Sequence, residues 1–153
     1  CFANGLKTVI NDYDYILIDC PPSLGLLTLN GLVAADAVMV PLQCEFFALE
    51  GLSQLLQTFE RIRGKFNPSL TILGVVLTMF DRRNNLSEQV ADDVRSVLGD
   101  KVYQTVIPRN VRISEAPSHG KPVLLYDNAC VGSQAYIRLA SEIIRREREL
   151  RAA

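Results

Sequence analysis

Apolar residues along the chain alternate between short continuous runs and stretches with helical spacing. Residues 15–19 (YILID) are an apolar run that ends in an acid and is halted by Pro21 and Pro22, the pattern of a strand buried in a parallel sheet. Residues 23–35 carry Leu and Ala at helical intervals, with Ser23 placed to cap the start. Residues 37–42 (AVMVPL) predict a second strand. Residues 49–66 set Leu52, Leu55, Leu56, Phe59 and Ile62 on one helical face, ended by Asn67-Pro68. A third strand is predicted at residues 70–78. Residues 86–98 predict a helix with Ser87 as its cap, Val90, Val94 and Val97 facing inward, and Gly99 closing it. Residues 102–107 predict a fourth strand stopped by Pro108. A polar loop over residues 109–122 has one helical turn near Ser114, and a last helix covers residues 133–151.

Strands that alternate with helices imply an α/β fold with parallel pairing and right-handed crossovers. In such sheets ligands sit beyond the carboxyl ends of the strands. The polar residues of interest cluster there: Asp19, then Gln43-Cys44-Glu45, then residues 79–83 (MFDRR), then residues 108–112 (PRNVR). Four polar strand ends predict one site on one rim.

Composition narrows the reading only modestly. In 153 residues, 48% are hydrophobic and 22% charged, ordinary for a globular protein with a core, and the net charge of −1 excludes a globally basic field. Any nucleic-acid contact must therefore come from a local patch. The longest apolar stretch, residues 26–42, is broken by Asn30, Asp36 and Pro41 and does not read as a membrane span. No secretory leader is recognisable. Cys1, Cys20, Cys44 and Cys130 form no CxxC pair and have no histidine at metal spacing, so they read as reduced thiols. Cys1 and residues 2–11 read as the interior of a longer chain.

An apolar strand ending in an acid is the pattern of a Walker B residue, which holds magnesium through water while the metal bridges phosphates. Asp19 has that position, although aspartate also ends many strands simply as a turn former. Pro21-Pro22-Ser23 stiffens the turn that follows, which suits a segment responding to a γ-phosphate.

Residues 13–30 (YDYILIDCPPSLGLLTLN) resemble the Walker B segment of ParA/Soj chromosome-partitioning ATPases, members of the MinD/ParA superfamily of deviant Walker A proteins. Residues 41–52 (PLQCEFFALEGL), 77–83 (LTMFDRR) and 106–122 (VIPRNVRISEAPSHGKP) resemble the blocks that follow, in the same order. The resemblance runs from about Tyr13 to the last helix. It implies the C-terminal part of a single ATPase domain over residues 1–153, with a doubly wound, mostly parallel P-loop sheet lacking its phosphate-loop strand and helix. It further implies a cytoplasmic, nucleoid-associated protein that binds ATP and Mg2+, dimerises around the nucleotide and binds DNA without sequence preference. A ParB-type centromere-binding partner stimulates hydrolysis.

By position, the resemblance makes Asp19 the Walker B acid. It assigns Met79, Pro108 and Asn110 to the adenine, and makes Glu45 a candidate for ribose or cross-dimer contact. Pro108 offers a flat apolar face, and Asn110 an amide that both donates and accepts. Arg83 and Arg112 match positions implicated in DNA contact, with Arg82, Arg109 and Lys121 extending the patch. Non-specific DNA binding needs such cations without base readers, although solvated rim charges look the same in a sequence. His119, the only histidine, falls in a matching loop and reads as structural.

The phosphate loop of these ATPases, KGGxGKT, does not occur in the 153 residues, so the chain by itself is not expected to hydrolyse ATP. It is also expected to be poorly stable alone, because open strand edges and apolar faces invite aggregation. Two other readings compete. A MinD-type division-site ATPase would end in an amphipathic membrane helix, whereas residues 145–151 (RRERELR) interleave arginine with Glu147 and Glu149. A nucleotide-free DNA-binding or dimerisation module would bind DNA irrespective of ATP. A redox role like that of the nitrogenase iron protein would need cluster-ligating cysteines, and Cys20 before two prolines is insufficient for that.

Overall fold

The computed structural model describes residues 2–21 and 25–152. Ser23 and Pro22, expected to cap a helix and stiffen a turn, lie outside the described residues. The elements run α1 (Phe2–Leu6), α2 (Leu26–Ala34), β1 (Ala37–Gln43), α3 (Ala48–Lys65), β2 (Thr71–Thr78), α4 (Asn85–Leu98), α5 (Val111–Glu115), α6 (Val123–Tyr126) and α7 (Val131–Ala152). Strands β1 and β2 pair in parallel through the crossover helix α3, as the alternation predicts. The chain divides into two units, Cys1–Val38 with Leu52–Leu73, and Met39–Gly51 with Gly74–Ala153.

In the first unit, α3 buries Phe59 and Ile62 with Leu70, and Leu29, Leu32 and Val33 of α2 complete the cluster with Ala35, Val38 and Ile72. Phe59 and Ile62 lie on the face that the helical spacing of α3 predicts to turn inward. Asn67 does more than end α3. Its buried side chain donates to the carbonyls of Leu32 (3.1 Å), Val33 (3.4 Å) and Ala35 (2.8 Å), satisfying the C-terminal end of α2 from a distant point in the sequence. Helix α2 itself starts later than expected, at Leu26, with Gly25 at the cap position and no side-chain cap bond.

The expected strand at residues 15–19 is not formed: the segment makes no strand or bridge among the described residues. It keeps part of a strand's alternation. Ile18 and Cys20 lie close to Gly31 of α2, while Leu17 is 88% exposed. One face is covered by a helix, but the segment joins no β-ladder among the described residues, and ladder pairing is what defines a strand.

In the second unit, β2 places Val76 in a core with Tyr103, Ile107, Ala135 and Leu139, flanked by Ile113 and Ile143. Gly74 is required by this packing, since a Cβ there would lie 2.6 Å from the Tyr103 ring and 2.9 Å from the Lys101 carbonyl. Helix α4 buries Val90, Ala91 and Val94, but Val97 is exposed, contrary to expectation. Its cap is Asn84, whose side chain accepts from the Leu86 amide; Ser87 is instead buried and donates to the Cys44 carbonyl at 3.4 Å. Gly99 closes α4 with φ +53° and its N–H on the Arg95 carbonyl, as predicted.

Residues 102–107 do not form a regular fourth strand. They bridge β2 at Val75–Val102 and, just beyond both segments, at Phe80–Pro108, both in parallel. Between these bridges the ladder is diverted. The amides of Gln104 and Thr105 donate to the two carboxylate oxygens of Glu142 on α7, at 2.8 and 2.9 Å. Arg146, one turn later, pairs with Glu142 at 2.8 Å, donates to the carbonyls of Asp100 and Val102, and lies 4.5 Å from the Tyr103 ring centroid. Burial alone would raise the Glu142 carboxyl, but the Gln104 and Thr105 amides and Arg146 outweigh it and hold the group below its usual range.

Candidate functional site

The second unit carries a pocket of about 380 Å³ at the carboxyl ends of β1 and β2. Cys44, Glu45 and Phe46 line it after β1, Met79 and Asp81 after β2, and Asn84, Leu86 and Ser87 at the start of α4, with Arg109 on the remaining side. Three of the four predicted polar strand ends are thus represented in this unit. Asp19 belongs to the first unit, where it is exposed.

Met79 has φ +53°, the only non-glycine residue with positive φ among those described. An L-residue in this region stores backbone strain and occurs where the surroundings impose it. Here the hydrogen bonds just beyond β2 impose it: the Phe80 amide donates to the Ile107 carbonyl at 3.1 Å, and the Arg109 amide donates to the Phe80 carbonyl at 3.0 Å. These bonds set Pro108 beside Phe80. Asn110 does not line the pocket. Its side chain caps α5, accepting from the Arg112 amide at 2.9 Å, so the turn role open to it in the sequence is the one its oxygen performs.

Cys44, although it lines the pocket, is almost fully buried, and that burial pushes its thiol up to about 11, against the opposing pull of Arg95. Glu45 lies 3.5 Å from Arg109. Asp81 grips Arg83 with both oxygens, at 3.1 Å to Nε and 3.0 Å to Nη2, and also accepts from the Arg83 amide at 3.0 Å. These bonds hold the Asp81 carboxyl down at about 2. Arg112 pairs with Glu115 at 3.0 Å and Asp127 at 3.6 Å, and the Tyr126 hydroxyl lies 3.3 Å from the same Glu115 oxygen. Arg82 and Lys121 are exposed and make no ion pair among the described residues. His119 stacks on Tyr126 with centroids 4.9 Å apart.

Sequence reasoning assigns no role to Asp81, Phe46, Glu115 or Asp127. Asp81 and Glu115 stand two or three residues from an arginine, a spacing that marks an ion pair only once the local turn is known. The pocket combines an apolar wall of Phe46, Met79 and Leu86 with two carboxylates, Glu45 and Asp81, the Asn84 amide and Arg109, which suits a base and sugar. It contains no lysine or glycine-rich loop to cradle phosphates, and no cluster of three or more metal-ligating side chains occurs among the described residues.

Comparison with solved structures gives the class. Cobyrinic acid a,c-diamide synthase from Mycobacterium smegmatis matches with a TM-score of 0.76 at 36% identity, over 94% of this chain and 52% of that one. The same protein with bound ADP and magnesium matches at 0.65 and 43%, over 72% and 45%. The cell division ATPase MinD of Pyrococcus furiosus matches at 0.74 and 25%, over 94% and 56%. The fold is therefore α/β, part of the P-loop nucleoside-triphosphatase type.

A family model described as an AAA domain matches residues 1–72. Over 140 residues the chain is 71% identical to the chromosome partitioning protein ParA of Caulobacter vibrioides, covering 92% of this chain and 52% of that protein. It is 58% identical over 138 residues to the sporulation initiation inhibitor protein Soj of Bacillus subtilis, covering 90% and 54%. The chain is thus similar to ParA/Soj chromosome-partitioning proteins over nine-tenths of its own length, and it spans about half the length of these relatives.

Proposed function

We propose that this chain is the C-terminal part of a chromosome-partitioning ATPase. In the complete protein it supplies the base-side wall of the nucleotide site and the DNA-facing arginines. The identity of 71% to a partitioning protein over nine-tenths of the chain carries this reading; the MinD likeness stands at 25% and favours kinship over a division-site role. Under this reading Met79, Pro108 and Asn110 hold the adenine, Glu45 approaches the ribose or the second subunit, and Asp19 holds magnesium through water. Arg83 and Arg112, with Arg82, Arg109 and Lys121, meet the phosphates of non-specific DNA. The complete protein works as an ATP-dependent dimer in the cytoplasm, stimulated by a centromere-binding partner of the ParB type. No helix among the described residues is long and apolar enough to cross a membrane.

The test begins with the sequence encoded upstream of Cys1. An in-frame KGGxGKT after an apolar strand supports the reading, and the protein so completed is expected to bind ATP with magnesium and to hold duplex DNA only when ATP is present. A start codon without such a loop would overturn it and favour a nucleotide-free DNA-binding module.

A further inference from the structure

We propose that Arg83, Arg109 and Arg112 are held as a self-neutralised polyanion-binding surface, and that Asp81, Glu45, Glu115 and Asp127 set the affinity at which phosphates displace them. The inference rests on the DNA reading above and extends it to the carboxylates paired with these arginines, of which only Glu45 has another role. Each of these three arginines is tied to an acid of its own unit. Arg83 is the clearest: its side chain is 89% exposed, yet both oxygens of Asp81 fix its guanidinium. A long side chain that exposed ordinarily spreads over many rotamers. Arg109 faces Glu45 across the pocket rim, and Arg112 lies between Glu115 and Asp127.

The planar guanidinium fork fits a carboxylate and a phosphate in the same way. An incoming phosphate therefore meets an occupied fork, and binding is an exchange of one anion for another. Exposed ion pairs are weak enough to exchange. A lone phosphate gains little from one such exchange, whereas duplex DNA presents about one charge per 1.7 Å and engages several forks together. Such a surface ignores small anions and responds to a dense array. It also accommodates the net charge of −1.

The experiment measures binding of a labelled mixed-sequence duplex by the complete protein with ATP and magnesium, at one salt concentration. It compares wild type, Asp81→Asn, the pair Glu115→Gln with Asp127→Asn, and Glu88→Gln. Glu88 is an exposed acid of α4 without an ion pair among the described residues and controls for net charge. Asp81→Asn is expected to tighten binding by about two- to fivefold, the worth of one exposed ion pair. The Glu115/Asp127 pair is expected to do at least as well, and Glu88→Gln to change affinity by less than half as much. In an Arg83→Ala background, Asp81→Asn should do no more than Glu88→Gln. Unchanged affinity in Asp81→Asn, or a gain that persists without Arg83, overturns the masking while leaving the DNA reading intact. ATP binding without DNA binding in every variant overturns the DNA reading itself.

Discussion

Replacing Glu142 by alanine removes one side chain and breaks three hydrogen bonds. The carboxylate is 5% exposed and accepts from the Gln104 amide, the Thr105 amide and Arg146 at 2.8–2.9 Å. Loss of one partner from a buried ion pair costs about 3–5 kcal/mol, and each backbone donor left without an acceptor costs about 1–3 kcal/mol. These penalties overlap, because Arg146 keeps its bonds to the Asp100 and Val102 carbonyls, so about 3–5 kcal/mol is expected in total. Glu142→Gln retains one accepting oxygen and should cost about 1–2 kcal/mol. Amide hydrogen exchange followed by NMR reads this locally. A loss of 3 kcal/mol speeds exchange roughly 150-fold, at about 1.4 kcal/mol per tenfold, and it should appear at Tyr103, Gln104, Thr105 and Ile107 together. Exchange at these four amides within threefold of wild type in Glu142→Ala would refute the claim that this carboxylate replaces the missing ladder. The pH dependence has a definite sign. A carboxyl held below its usual value contributes stability above the ordinary glutamate pKa of about 4.3, and that contribution is lost as the pH falls from there through the folded value. Glu142→Gln should flatten the acid side of the stability curve in that window.

Three further outcomes are expected. Asn67→Ala should cost about 1–3 kcal/mol, because the ends of α2 lose a buried donor shared among three carbonyls; thermal unfolding measures it, and a change under 0.5 kcal/mol would contradict the capping role. Cys44, with its thiol near 11, is mostly protonated at pH 8 and buried, so mass spectrometry should find it alkylated after Cys20 and Cys130. The Asp81 carboxyl should titrate by NMR near 2 and return to the ordinary aspartate value, about 3.9, in Arg83→Ala; an unchanged titration would show that the ion pair does not form in solution.

The sequence by itself determined the elements whose pattern is local. Phe59 and Ile62 on α3, Val90 and Val94 on α4, the run of β2 and the Gly99 stop all follow from periodicity and backbone preference. It also placed Glu45, Met79 and Arg109 near the ends of strands, and the parallel topology brings these three to one pocket. The tertiary structure decided what depends on a partner far along the chain. A strand exists only where another backbone lies beside it, so residues 15–19 form no strand among the described residues, and residues 102–107 give two amides to Glu142, some 37 residues later in the chain. Asn67 reads as a helix stop, and its side chain serves a different helix. Arg83 and Arg112 read as free cations, and the turns after β2 and around α5 bring Asp81, Glu115 and Asp127 against them. Hydrophobic spacing encodes which face a residue turns inward; which group meets it there is set by distances that no local pattern carries.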